Sequence, residues 1–127
     1  MRLPALLLMA LAGLMTGCQR ADKSAEIREG AELFAANCAV CHGPQGQIRE
    51  AQNYDADTPD LRKIEKNAPG GRLPRVMLAE IIDGRRLVEG HTRSMPIWGE
   101  ALGQGDEQVV DAKIELLITY IESIQQR

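Results

Sequence analysis

Cys38-Ala39-Val40-Cys41-His42 puts two thiols three positions apart, with an imidazole next in line. That is the spacing of covalent c-type haem attachment. Each sulfur can add across one vinyl group of the porphyrin, and the two-residue gap matches the separation of the vinyls. The adjacent histidine then lies under the ring, where a neutral imidazole nitrogen can bind iron from the proximal side. Cys38 and Cys41 are therefore the candidate attachment residues for one haem c, and His42 is a candidate axial ligand.

Two other chemistries use part of this pattern. A redox-active CxxC opens a helix after a strand, in a chain that alternates the two. Here Ile27, Ala31 and Phe34 recur at helical spacing before Cys38, and no β-branched run leads into it. Structural zinc takes four Cys/His ligands. Cys38, Cys41, His42 and His91 could supply four, but consecutive Cys41 and His42 chelate one ion awkwardly.

A chain of 127 residues, 26 % charged and 44 % apolar, has room for one globular domain of ordinary composition. Its aromatics are few. Phe34, Tyr54, Trp98 and Tyr120 make up the set, and a buried flat apolar cofactor would supply the missing core volume. The net charge of −3 comes with no basic stripe interleaved with aromatics, which argues against a nucleic-acid partner.

Residues 1–17 read as a secretory signal, with one charge at Arg2 and an apolar run from Leu3 to Met15 that is short for a membrane span. Met15-Thr16-Gly17-Cys18 resembles the lipobox of bacterial lipoproteins, departing from it at Met15, where leucine is usual. The resemblance implies cleavage before Cys18 and its lipidation, enough for stable anchoring. Gln19, in place of Asp, favours the outer membrane by that family's sorting rule. The expectation is an exported protein on the periplasmic side of a bacterial membrane, with residues 18–24 as tether and 25–127 as the domain. Lipidation also accounts for the odd third cysteine.

Beyond the tether, Ser24 or Asp22 is placed to cap a helix from Ala25 to Ala36. Gly30 inside it costs about 1 kcal/mol relative to Ala, which calls for a packing reason such as close approach of another helix. The closing segment, 107–125, carries Val110, Ile114, Leu117, Ile121 and Ile124 in a continuous helical stripe with Tyr120 beside it, so it reads as core. Between these, Gly43-Pro44-Gln45-Gly46 is a turn, and Thr58-Pro59-Asp60-Leu61 a helix start with Thr as cap and Pro at the first position. Residues 74–83 form a helix stopped at Gly84, within which Met77 reads as core filler.

Gly30, Leu33, Phe34, the pentapeptide at 38–42, and a last helix bearing Leu117, Tyr120 and Ile121 together resemble a class I c-type cytochrome, over nearly all the chain from 25 to 124. The resemblance implies an all-α fold of three to five helices around a covalently bound haem. In that fold the first and last helices cross, with Gly30 against Tyr120. It also implies that the carbonyl of Pro59 accepts a hydrogen bond from the second ring nitrogen of His42, steadying the ring and raising its basicity.

A His/Met-ligated iron needs a thioether on the far side. Met95 precedes Pro96, which keeps it out of a helix. Ser94-Met95-Pro96-Ile97-Trp98-Gly99 resembles the family's distal segment, so Met95 is the expected second axial ligand, with His91 as its rival. Trp98 is expected near the haem edge, and Arg85, Arg86 or Arg93 at a propionate. Arg62, Lys63, Lys66, Arg72 and Arg75 form either a solvated face or a docking patch for an acidic redox partner.

The implied function is electron transfer, Fe(II) to Fe(III) and back, by a membrane-tethered carrier or electron-transfer subunit with redox-protein partners. No nucleophile–base pair suggests an enzyme. A haem enzyme or gas sensor with a labile Met95 is the alternative.

Overall fold

A computed structural model describes residues 4–54, 58–85 and 95–126, with side chains described for Arg20 and from Asp22 onward. Among the described residues every regular element is helical: α1 Pro4–Asn37, α2 Ala39–His42, α3 Ile64–Asn67, α4 Arg75–Asp83, α5 Trp98–Ala101 and α6 Glu107–Ser123, with 3-10 turns at Ile48–Glu50 and Leu61–Lys63. The short pieces α2, α3 and α5 are single turns that punctuate the connections, so the architecture rests on α1, α4 and α6.

The first helix does not start where its capping residues suggest. Ser24 is no cap. Its hydroxyl donates to the carbonyl of Arg20 at 2.9 Å, and α1 runs unbroken through the expected tether at 18–24. The cause is composition: from Ala5 to Ala36 there is no proline, and strong helix formers (Ala, Leu, Met, Arg, Lys, Glu) dominate. No helix among the described residues is long and apolar enough to cross a membrane.

At the other end of the chain, Asp106 caps α6 by accepting from the amides of Gln108 and Val109 at 3.0 and 3.3 Å. Val110, Ile114, Leu117 and Ile121 are buried as their spacing predicts. So are Ile118, at 0 % exposure, and Thr119, because neighbours cover α6 on more than one side. Each such apolar side chain contributes roughly 1.5–3 kcal/mol by leaving water.

Helices α1 and α6 meet at Gly30. A Cβ there would collide with the carbonyl oxygen of Leu116 and stand 2.9 Å from Cβ of Tyr120. One turn on, Phe34 is 1 % exposed, and its ring packs on that of Tyr120 with centroids 5.2 Å apart and planes tilted by 51°. Such a pair adds about 0.5–1.5 kcal/mol beyond its area. The sequence expectation for Gly30 and Tyr120 holds, and hydrogen is the one side chain the contact accepts.

Helix α4 lays Leu78 and Ile82 into the same core and stops at Gly84, whose φ of 68° is left-handed. Met77 is not core filler: it is 45 % exposed, about 100° round the helix from Leu78, and faces away from the core. Tyr54, on the loop after α2, stays outside as well, at 57 % exposure.

Replacing Gly30 with alanine should cost about 2–3 kcal/mol despite Ala's better helix propensity, since backbone must move to admit the methyl. Thermal denaturation of the Gly30→Ala variant checks this; an unchanged midpoint would contradict the geometry.

Candidate functional site

The thiols sit where α1 gives way to α2. The amide of Cys38 donates to the Phe34 carbonyl at 2.8 Å, and those of Cys41 and His42 both donate to the carbonyl of Cys38, at 3.2 and 2.9 Å. Cys38, Cys41 and His42 thus share one tight turn. Gly43, at φ 80°, then takes the chain away, and residues 52–53 fold back to donate two amides to the Val40 carbonyl, at 3.1 and 2.9 Å. Both cysteines are half-buried free thiols, and Cys38 packs against the core.

Their environment argues against dithiol chemistry. A reactive CxxC depends on a depressed thiol pKa. Burial, reinforced by the neighbouring Cys41, instead pushes the Cys38 thiol up to about 12. Zinc fares no better, because no three His, Cys, Asp or Glu side chains among the described residues converge on a metal-sized site. His91, which would complete a zinc set or rival Met95, lies outside the described residues, as do Arg86 and Arg93. Cys18 lies within α1, with its side chain outside the description.

His42 is half-buried, and burial lowers its pKa, with the Pro59 carbonyl opposing as a hydrogen-bond acceptor. The imidazole is therefore held neutral, the form that binds metals. Its Nδ1 is sealed from solvent without a hydrogen-bond partner among the described residues.

Met95 is half-buried and packs against the same core cluster as Cys38, as does Trp98. The segment carrying it is docked onto the end of α4. A Cβ at Gly84 would stand 3.2 Å from Cα of Ile97, and one at Gly99 would collide with the carboxylate of Asp83. A cleft of about 490 Å³ opens near Pro59 and Ile64, with Pro74 and Met77 on its other side; the two thiols and Met95 lie outside its described walls.

The model of the cytochrome c family matches residues 27–125, which is most of the chain. The chain belongs to the cytochrome c family. No curated protein and no solved structure gives a significant match. Members of the family carry a covalently attached haem c and pass electrons between redox partner proteins, and the all-α fold of this cytochrome is of the class I type. The residues present suit that group. Two unpaired thiols share a turn with a neutral imidazole whose buried Nδ1 is left without a hydrogen-bond partner.

Around this centre the cytochrome uses its charges differently from the sequence expectation. Thr58 does not cap a helix at Pro59. Asp60 caps the turn Leu61–Lys63, accepting from the Arg62 amide at 3.2 Å while gripping the Arg62 guanidinium at 3.0 and 2.8 Å. Lys63 also reaches Asp60, at 3.8 Å. Arg75 bonds Glu115 and Glu122 of α6 at 2.6 and 2.8 Å. Arg62 and Arg75 are thus paired within the molecule, while Lys63, Lys66 and Arg72 stay exposed. Arg85, a candidate for a propionate, is committed to Asp83 and Glu107 and ties the end of α4 to the start of α6. Missed altogether in the sequence was Gln125, whose side chain bonds backbone some 60 positions away. Nothing local marks it, because its partners become neighbours only on folding.

The Arg62 guanidinium holds the Asp60 carboxyl below its ordinary 3.8, so the pair adds stability above that value and loses it as pH falls through the folded-state pKa. Asp60→Asn should be less stable than the parent at pH 7. Denaturant titrations at a series of pH values should show that gap closing below 3.8.

Proposed function

We propose that this cytochrome is a single-haem electron carrier, attached to haem at Cys38 and Cys41 and ligated by His42 and Met95, with Pro59 orienting the proximal ring. The observation that carries the reading is the His42 environment: a neutral, half-buried imidazole on the same turn as two free thiols, its buried Nδ1 without a partner. Haem c, when bound, supplies a one-electron Fe(II)/Fe(III) couple.

The chain's own groups do the rest. Cys38 and Cys41 fix the group's position by covalent bonds. Pro59 selects which imidazole nitrogen faces inward and strengthens it as a donor. Met95, held on a segment docked against α4, offers a thioether from the opposite side of the sequence. Donors from both His42 and Met95 would leave a bound haem no open position for a substrate, and its ligand set would change little on electron transfer, which suits a carrier better than an enzyme.

The same proposal includes the membrane. Thr16-Gly17-Cys18 supports lipidation at Cys18 after export, placing the domain on the periplasmic face of a bacterial membrane, the outer one favoured by Gln19. The redox partners would then be proteins meeting that face.

Met95→Ala should abolish the near-infrared charge-transfer band of the ferric protein, while Met77→Ala keeps it; the reverse pattern would refute the assignment. Cys18→Ser should move the cytochrome from the membrane to the soluble fraction of a producing bacterium without altering its visible spectrum. Retention in the membrane would sink the anchoring claim alone.

A further inference from the structure

The stretch that joins the candidate lipidation residue to the domain is not a loose linker. Cys18 and everything after it as far as Asn37 belong to α1, and the Ser24 hydroxyl closes on the Arg20 carbonyl at 2.9 Å inside that helix. Neither proline nor glycine falls between Cys18 and Gly30. At the other end the helical bonding reaches the first thiol, since the Cys38 amide donates to the Phe34 carbonyl at 2.8 Å. Cys18, the seam at Gly30 and Cys38 therefore lie along one helix.

That helix is fixed to the body of the molecule from Ile27 onward. Ile27 rests against the core, Gly30 meets the backbone at Leu116, and Phe34 packs on Tyr120. Starting a helix is its costly step, and the packed part has already taken it. Each residue added upstream then gains a hydrogen bond without a new nucleus. Arg20, Asp22, Lys23, Ser24 and Glu26 stand exposed on the extension, which is about two turns long.

The surface of the extension bears on how it meets lipid. From Gln19 to Glu26 the only apolar residues are Ala21 and Ala25, so there is no stripe to sink into a membrane interface. The net charge of −3 gives the chain no attraction to anionic headgroups. Neither polarity nor charge draws this arm down onto a bilayer. At 1.5 Å per residue, the distance along the helix from Cys18 to Cys38 is about 30 Å.

We propose that the first part of α1 is a stiff arm that holds the haem-attachment end of the cytochrome about 30 Å from its lipid anchor. Electron tunnelling falls exponentially with distance, so a carrier dissolved in the bilayer is out of direct reach. The partners are then redox centres of proteins that stand clear of the membrane surface. The proposal rests on the readings of Cys18 as the lipidated residue and of Cys38 and Cys41 as the haem attachment.

The test uses the lipidated, haem-loaded protein. Its three cysteines are then all in thioether linkage, so Arg20→Cys supplies the one reactive thiol for a nitroxide. Pulsed dipolar spectroscopy between that label and the low-spin ferric iron should give one narrow distance of about 27 Å, give or take the label's own reach. Ser24→Pro breaks the arm by its clash with the Arg20 carbonyl, while proline is tolerated as the first residue of the helix that remains. It should broaden the distribution and leave the visible spectrum unchanged. On vesicles of phosphatidylethanolamine and phosphatidylglycerol with a dye on the headgroups, the haem of Ser24→Pro should quench the dye more than that of the parent at equal bound protein. A long-chain quinol dissolved in those vesicles should leave the parent oxidised over the time in which ascorbate in the water reduces it. The proposal is overturned if the parent's distances are as broad as those of Ser24→Pro, if the two quench equally, or if the quinol reduces the parent directly. Should Cys18→Ser bind the vesicles as tightly as the parent, the anchoring reading falls instead, whatever the label distance.

Discussion

The contact of Gly30 with the backbone at Leu116 and with Tyr120 is the constraint from which the rest of the fold follows. It lets two helices from opposite ends of the chain approach to backbone distance, which no residue with a Cβ would allow. Phe34 and Tyr120 then close the gap with stacked area, and Val110, Ile114, Leu117 and Ile121 seal it along α6. Closing so long a loop carries a considerable entropic cost, offset here by concentrated apolar burial. Because α1 runs directly into the turn of Cys38, Cys41 and His42, the seam also fixes where the thiols and imidazole stand.

The donor set is gathered from three stretches that are held by different means. The thiols and His42 are placed by helical hydrogen bonding at the end of α1. The segment after Pro59 is held by bonds from Gln125 to Leu61 and Glu65 and by the Asp60–Arg62 pair. Met95 is placed by glycine-mediated docking of its segment on the end of α4, reinforced where Arg85 joins Asp83 to Glu107. Burial pushes the Cys38 thiol up and the His42 imidazole down from their ordinary pKa values, so both are neutral in the chain without haem.

Several readings of single residues gave way once the chain was folded. Ser24 has the chemistry of a cap but sits in a run of strong helix formers, so propensity carried the helix past it. Of Thr58 and Asp60, it is Asp60 that caps the turn Leu61–Lys63, and its carboxylate also grips the Arg62 guanidinium. Met77 shares an apolar segment with Leu78 yet lies about 100° round the helix from it and stays exposed. The positive charges at Arg62, Arg75 and Arg85 counted as free in the linear chain and are paired in three dimensions.

What the amino-acid order determined unaided was everything that depends on near neighbours: the attachment pentapeptide, the turn after it, the helical stripe of α6, and a glycine whose helical cost demanded a packing reason. These are legible because haem-attachment spacing, turn chemistry and helical periodicity act over a few residues. Only the tertiary structure decided which core surface Met95 meets, which charges are paired within the molecule, and that Gln125 reaches back some 60 positions to the backbone of Leu61 and Glu65. Those outcomes depend on which distant backbone groups burial brings within hydrogen-bonding range, and no local pattern encodes that distance.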